Sequence, residues 1–122
     1  DDVKENLEKL SKHYNLYIIS NGWPSSFRVL KNKNINNYFK GITISSMYST
    51  TKEGNLFDVF LDEYKDVNPK ESLYIDDRRH ILEKADVYGF NLLLMDRKSI
   101  YAESKFKIIN SMKDIKEALK CE

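Results

Sequence analysis

Short apolar runs alternate along this chain with stretches in which apolar residues recur every three or four positions. Val3, Leu7, Leu10 and Tyr14 are spaced by four, three and four, a helical stripe that Asp1 and Asp2 can cap and that ends near Asn15. Leu16 to Ile19 (LYII) reads as a short strand, closed by Ser20, Asn21 and Gly22. Pro24 suits the first turn of a second helix, with Phe27 and Leu30 on its inner face. The Asn- and Lys-rich segment from Lys31 to Asn37 reads as a polar connection anchored by Tyr38 and Phe39. Gly41 to Ser45 (GITIS) follows as a second strand, and a polar loop from Ser45 to Thr51 leads to Lys52. Leu56, Phe57, Phe60, Leu61 and Tyr64 share one face of a third helix, and Asn68-Pro69 breaks the chain after it.

The stretch from Ser72 to Gly89 organises the rest. Leu73, Tyr74 and Ile75 form an apolar run bounded by charge, as in a strand within a parallel sheet, although periodicity alone does not separate it from buried helix. Asp76 and Asp77 follow, then a helix with Ile81, Leu82, Ala85 and Tyr88 on one face and Gly89 as its stop. Asn91 to Met95 (NLLLM) is a fourth buried strand, ending at Asp96 and Arg97, and a weaker one covers Phe106 to Ile109. Ser111 caps a last helix, with Asp114 three positions on as in a capping box and Met112, Ile115 and Leu119 facing inward. Strands alternating with helices predict βαβ units: an α/β fold with a mostly parallel sheet and right-handed crossovers.

Composition narrows the function classes without choosing one. A length of 122 residues is the size of one domain with its own core, and 41% hydrophobic with 32% charged residues is ordinary for a water-exposed globular chain. A formal charge of +1 gives no general attraction to nucleic acid or an anionic membrane. No apolar run approaches the roughly 18 residues that span a bilayer. The single cysteine, Cys121, has no partner for an internal disulfide, and no signal-peptide pattern opens the chain, so the cytoplasm is the expected compartment.

The candidate chemistry lies at the strand ends. Parallel sheets bind ligands at the carboxyl ends of their strands, so Ser20, Lys52 and the Asp76/Asp77 pair are expected along one rim. A hydroxyl, an ammonium and two carboxylates are what phosphoryl transfer asks of its surroundings. Ser20 and the backbone N–H groups of Asn21 and Gly22 would hold phosphate oxygens, and Lys52 would offset building charge. The acidic pair would hold Mg2+, which takes one or two carboxylates and keeps waters or phosphate oxygens as its other ligands. Each residue also has a plainer reading: Ser20 as the start of a turn, Lys52 as a solvated lysine, the acidic pair as a loop balanced by Arg78 and Arg79. Arg78 would either contact substrate, pair with Asp77 or lie in solvent. Trp23 would reach a substrate mouth or pack on Phe27. His13 and His80 have no partner cluster in the sequence that suggests catalysis.

These residues, in this order, resemble the later part of a haloacid dehalogenase (HAD)-superfamily hydrolase. The second family motif, a hydrophobic strand ending in Ser or Thr, is similar to LYIISNG with Ser20 and Asn21. The third is similar to KEGNLF with Lys52 and Phe57, where Glu53 stands in place of the usual proline. The fourth is similar to LYIDDRRHILEKADVYGF with Asp76 and Asp77. The resemblance runs from Asp1 to about Asp96. It implies a Rossmann-like parallel sheet with helices on both faces and a Mg2+-dependent phosphohydrolase acting on a small phosphorylated metabolite through an aspartyl-phosphate; the charge balance and hydropathy add the expectation of no nucleic acid or membrane partner.

The family's first motif, a strand ending in Asp-x-Asp that supplies the nucleophile and the general acid/base, has no match in this sequence. The chain is therefore expected to be the remainder of a hydrolase core domain, beginning after that motif and the cap, with weak Mg2+ binding and no phosphatase activity alone. The alternative is a non-catalytic HAD-like interaction module. In the family the nucleophile's strand lies between those of the second and fourth motifs. Three arrangements follow: LYII and LYID pair directly, a missing N-terminal segment or second chain completes the sheet, or the fold is poorly stable. The second is the expectation here.

Overall fold

In the computed structural model the apolar runs become parallel strands and the periodic stretches become helices. Residues 2–22, 25–33, 35–96, 106–110 and 114–115 are described. Asp1, Trp23, Pro24, Arg97, Ser111, Met112, Leu119 and Cys121, with the readings attached to them, lie outside the described residues, as does the side chain of Phe27. The chain divides into an N-terminal unit, Asp1–Tyr64, and a C-terminal unit, Lys65–Glu122.

The N-terminal unit contains helix α1 (Asp2–Ser11), strand β1 (Tyr17–Ser20), helix α2 (Ser25–Asn32), strand β2 (Gly41–Ile44) and helix α3 (Leu56–Glu63). Leu7 and Leu10 are buried as the stripe on α1 predicts. Tyr14 is not: the helix ends at Ser11, the N–H groups of His13 and Tyr14 both close on the Leu10 carbonyl, and the ring is 47% exposed beyond that turn. In the Asn- and Lys-rich connection the buried anchor is Ile35, while Tyr38 and Phe39 are half-buried. β1 and β2 pair in parallel from Tyr17 opposite Gly41 to Ser20 opposite Ile44. On α3, Leu56, Phe57 and Phe60 are buried, each worth about 1.5–3 kcal/mol relative to exposure. The Tyr17 ring meets Phe60 edge-on at 5.4 Å and Tyr64 at 5.1 Å. That cluster explains the glycine opening β2, because a Cβ on Gly41 would run into the Tyr64 ring.

In the C-terminal unit, strands β3 (Leu73–Asp76), β4 (Asn91–Met95) and β5 (Ile108–Ile109) form a parallel sheet in that order. A short 3-10 turn, Pro69–Glu71, precedes β3, and the Asn68 side chain caps it by accepting from the Lys70 N–H at 3.1 Å. Helix α4 (Arg79–Val87) carries β3 to β4 and buries Ile81, Leu82 and Ala85 completely. Tyr88, predicted on the same face, is instead the half-buried C-cap. Gly89 follows with φ +95°, the left-handed conformation that ends helices and suits glycine, and its N–H reaches the Asp86 carbonyl. Leu93 and Leu94 on β4 are buried. Asp114 and Ile115 are helical, and the Asp114 carboxylate accepts the Asn110 N–H, one residue upstream of the predicted cap.

Among the described residues β1 ladders to β2 alone and β3 to β4 alone, so each is an edge strand of its own hydrogen-bonded sheet. All four residues of β1 are half-buried. No helix of the described residues is long and apolar enough to cross a membrane.

Candidate functional site

The N-terminal unit brings the Ser20 and Lys52 segments together. β1 ends at Ser20, whose half-buried hydroxyl makes no hydrogen bond to a described residue. The chain then turns through Asn21 and Gly22, and β2 delivers Ser45 beside that turn. The Gly22 N–H donates to Ser45 Oγ at 3.0 Å, Ser45 Oγ donates to the Gly22 carbonyl at 3.3 Å, and the Ser46 N–H donates to the same carbonyl. The Gly22 N–H, expected to face phosphate, is thus engaged by a serine. Ser45 is the residue the sequence reading missed here, because its partner lies 23 positions away.

Lys52 is only 6% exposed, so the plainer reading of a solvated lysine does not hold. It sits in a turn ahead of α3 rather than in the helix. The Gly54 and Leu56 N–H groups donate to the Thr51 carbonyl, and the Asn55 N–H to Thr50 Oγ1, so these threonines supply the acceptors that a helix start requires. The Lys52 N–H donates to Asn21 Oδ1 at 2.7 Å, and Asn21 Nδ2 donates to Glu53 Oε1 at 2.8 Å. The side chain of Asn21, next to Ser20, therefore ties the lysine turn to the end of β1.

The acidic pair of the C-terminal unit is asymmetric. Asp76, the last residue of β3, is 7% exposed, whereas the Asp77 side chain is 75% exposed. Tyr74 Oη donates to Asp76 Oδ2 at 2.6 Å, and the Arg78 N–H donates to Oδ1 at 3.1 Å. Arg78 Nε lies 3.5 Å from Asp76 Oδ1 and 3.8 Å from Asp77 Oδ1, so one guanidinium offsets the repulsion of both carboxylates. Tyr74 was not singled out in the sequence, although residues two apart on a strand share a face. Burial, and then the hydrogen bond to Asp76, push the Tyr74 phenol well above its ordinary range, so it stays a donor at any physiological pH.

Oxygen donors from two adjacent carboxylates, one buried and one exposed, fit Mg2+. Among the described residues no group of three or more His, Cys, Asp or Glu side chains gathers as a complete metal cage. Asp76 and Asp77 would by themselves supply only part of a coordination shell.

No family model matches the sequence, and no curated protein matches it either. Solved structures do match. The HAD-hydrolase YfnB from Bacillus subtilis, bound to magnesium, aligns with a TM-score of 0.84 at 17% identity over 94% of this chain and 53% of its own. A HAD phosphatase from Thermococcus onnurineus aligns at 0.81 with 20% identity, over 94% of this chain and 55% of its own. The 2-haloacid dehalogenase from Pseudomonas syringae pv. Tomato DC3000 aligns at 0.82 with 18% identity, over 98% and 52%. The chain spans about half the length of these proteins. Its parallel α/β architecture is that of the core of the haloacid dehalogenase-superfamily hydrolases.

Proposed function

We propose that this chain carries the phosphate-orienting and Mg2+-binding residues of a phosphohydrolase acting on a phosphate monoester. The observation that supports it best is the bond from the Lys52 N–H to Asn21 Oδ1, which holds the buried Lys52 to the strand end bearing Ser20. Ser20 Oγ would donate to a phosphate oxygen, and the Lys52 ammonium would offset the charge that grows on the transferring group. Asp76 and Asp77 would hold Mg2+, which when bound neutralises phosphate charge. Tyr74 and Arg78 keep the Asp76 carboxylate fixed for that task. A strand bearing the nucleophilic carboxylate, from an N-terminal segment or a second chain, would complete the machinery, and the half-buried apolar edge strand β1 is a surface suited to it.

The test is a titration of the 122-residue chain with inorganic phosphate in the presence of Mg2+. Weak, millimolar binding that Lys52→Met abolishes and Asp77→Asn weakens is expected, together with no turnover of a generic phosphate ester. Phosphate binding indifferent to Lys52→Met would overturn the reading. So would ester turnover by this chain alone that Asp76→Ala eliminates, because it would place the whole chemistry in these residues.

A further inference from the structure

We infer that Asn21 is a positioning residue for Lys52, and that Glu53 sets the orientation in which it works. An asparagine amide has an acceptor side and a donor side that differ only by a flip, so its partners decide which way it faces. The Lys52 N–H can only donate and the Glu53 carboxylate can only accept. Both therefore demand the same orientation, Oδ1 toward Lys52 at 2.7 Å and Nδ2 toward Glu53 at 2.8 Å. The bond to the carboxylate is charge-assisted, the stronger kind. The clamp joins residues 31 apart in sequence, and it fixes the backbone from which the lysine stem departs. Where the ammonium is delivered thus depends on a neutral side chain held by an acid at the neighbouring position. Glu53 is exposed, so the clamp can be altered without disturbing the core. The inference rests on the proposed role of Lys52 toward phosphate.

A reciprocal exchange tests it. Asn21→Asp keeps an acceptor for the Lys52 N–H but sets a carboxylate against Glu53, whereas Asn21→Asp with Glu53→Gln restores a donor–acceptor pair with the roles swapped. Two readouts are followed: hydrogen exchange of the Lys52 amide by NMR, and binding of inorganic phosphate. Asn21→Asp is expected to lower protection of the Lys52 amide about 10-fold and to weaken phosphate binding by a similar factor. The double variant should recover both to within about 3-fold of the wild type. Glu53→Ala, which frees the amide to flip, should fall between. Unchanged protection in Asn21→Asp, or a double variant no better than the single one, would overturn the inference. Phosphate binding that ignores a real loss of protection would overturn it as well. If protection follows the exchange while the wild type binds no phosphate, the clamp stands and the phosphate reading of Lys52 fails.

Discussion

The candidate residues of the two units are held in place on opposite plans. In the C-terminal unit the parts lie within five consecutive residues, Tyr74 to Arg78, so strand geometry and one turn nearly suffice to assemble them. In the N-terminal unit Ser20, Ser45 and Lys52 come from three separate segments, joined by the side chains of Ser45 and Asn21. A local site depends on its own strand being formed. A site assembled from distant segments depends on every element that sets their spacing.

That contrast is broken most severely through the core of the N-terminal unit. Phe57→Ala, at a fully buried position on α3, is expected to cost about 3–5 kcal/mol in urea denaturation and to erase protection of the Lys52 amide, because α3 follows directly from the lysine turn. Persistence of that protection would mean that the turn is held independently of α3.

Tyr74→Phe sharpens the other side. It leaves Asp76 without its buried donor at an expected cost of about 1–3 kcal/mol. It should also change the alkaline limb of stability. The folded phenol is raised above its unfolded value near 10, so its contribution is fully present below about pH 10 and is lost as the pH climbs toward the folded value. Denaturation followed from about pH 9 to 11 should show the wild type losing stability more steeply than Tyr74→Phe, by up to about 1.4 kcal/mol per pH unit. Parallel slopes would refute the assignment. The smallest effect is expected from Asp77→Ala: with its side chain largely in solvent, stability should change by about 0.5 kcal/mol or less by the same measurement, while Mg2+ binding weakens.

Residue by residue, legibility followed this division. NLLLM became β4 with the predicted bounds, and Gly89 stopped α4 in the conformation a glycine is chosen for. Ile81, Leu82 and Ala85 turned inward as their spacing required. Tyr14 escaped prediction because the helix stopped a turn early, and Ile35 because a lone apolar residue among Asn and Lys carries no period. The Tyr74 donor was visible in principle, at two residues from Asp76. The Ser45 hydroxyl on Gly22 and the Asn21 clamp on Glu53 were not, since nothing local indicates that residues 23 and 32 positions apart will meet.

Short-range order was therefore written in the order of residues: which segments extend, which coil, and that acids, a hydroxyl and an amine close them. Those properties follow from side-chain periodicity and backbone preference, which act over a few positions. Folding alone settled that Lys52 is buried rather than solvated, that the Gly22 N–H is engaged by Ser45, and that Asn21 faces an acid and an amide at once. Those outcomes arise where β1, β2 and the turn before α3 are packed side by side, and hydrogen bonds between distant segments exist only once that packing has brought donor and acceptor within reach.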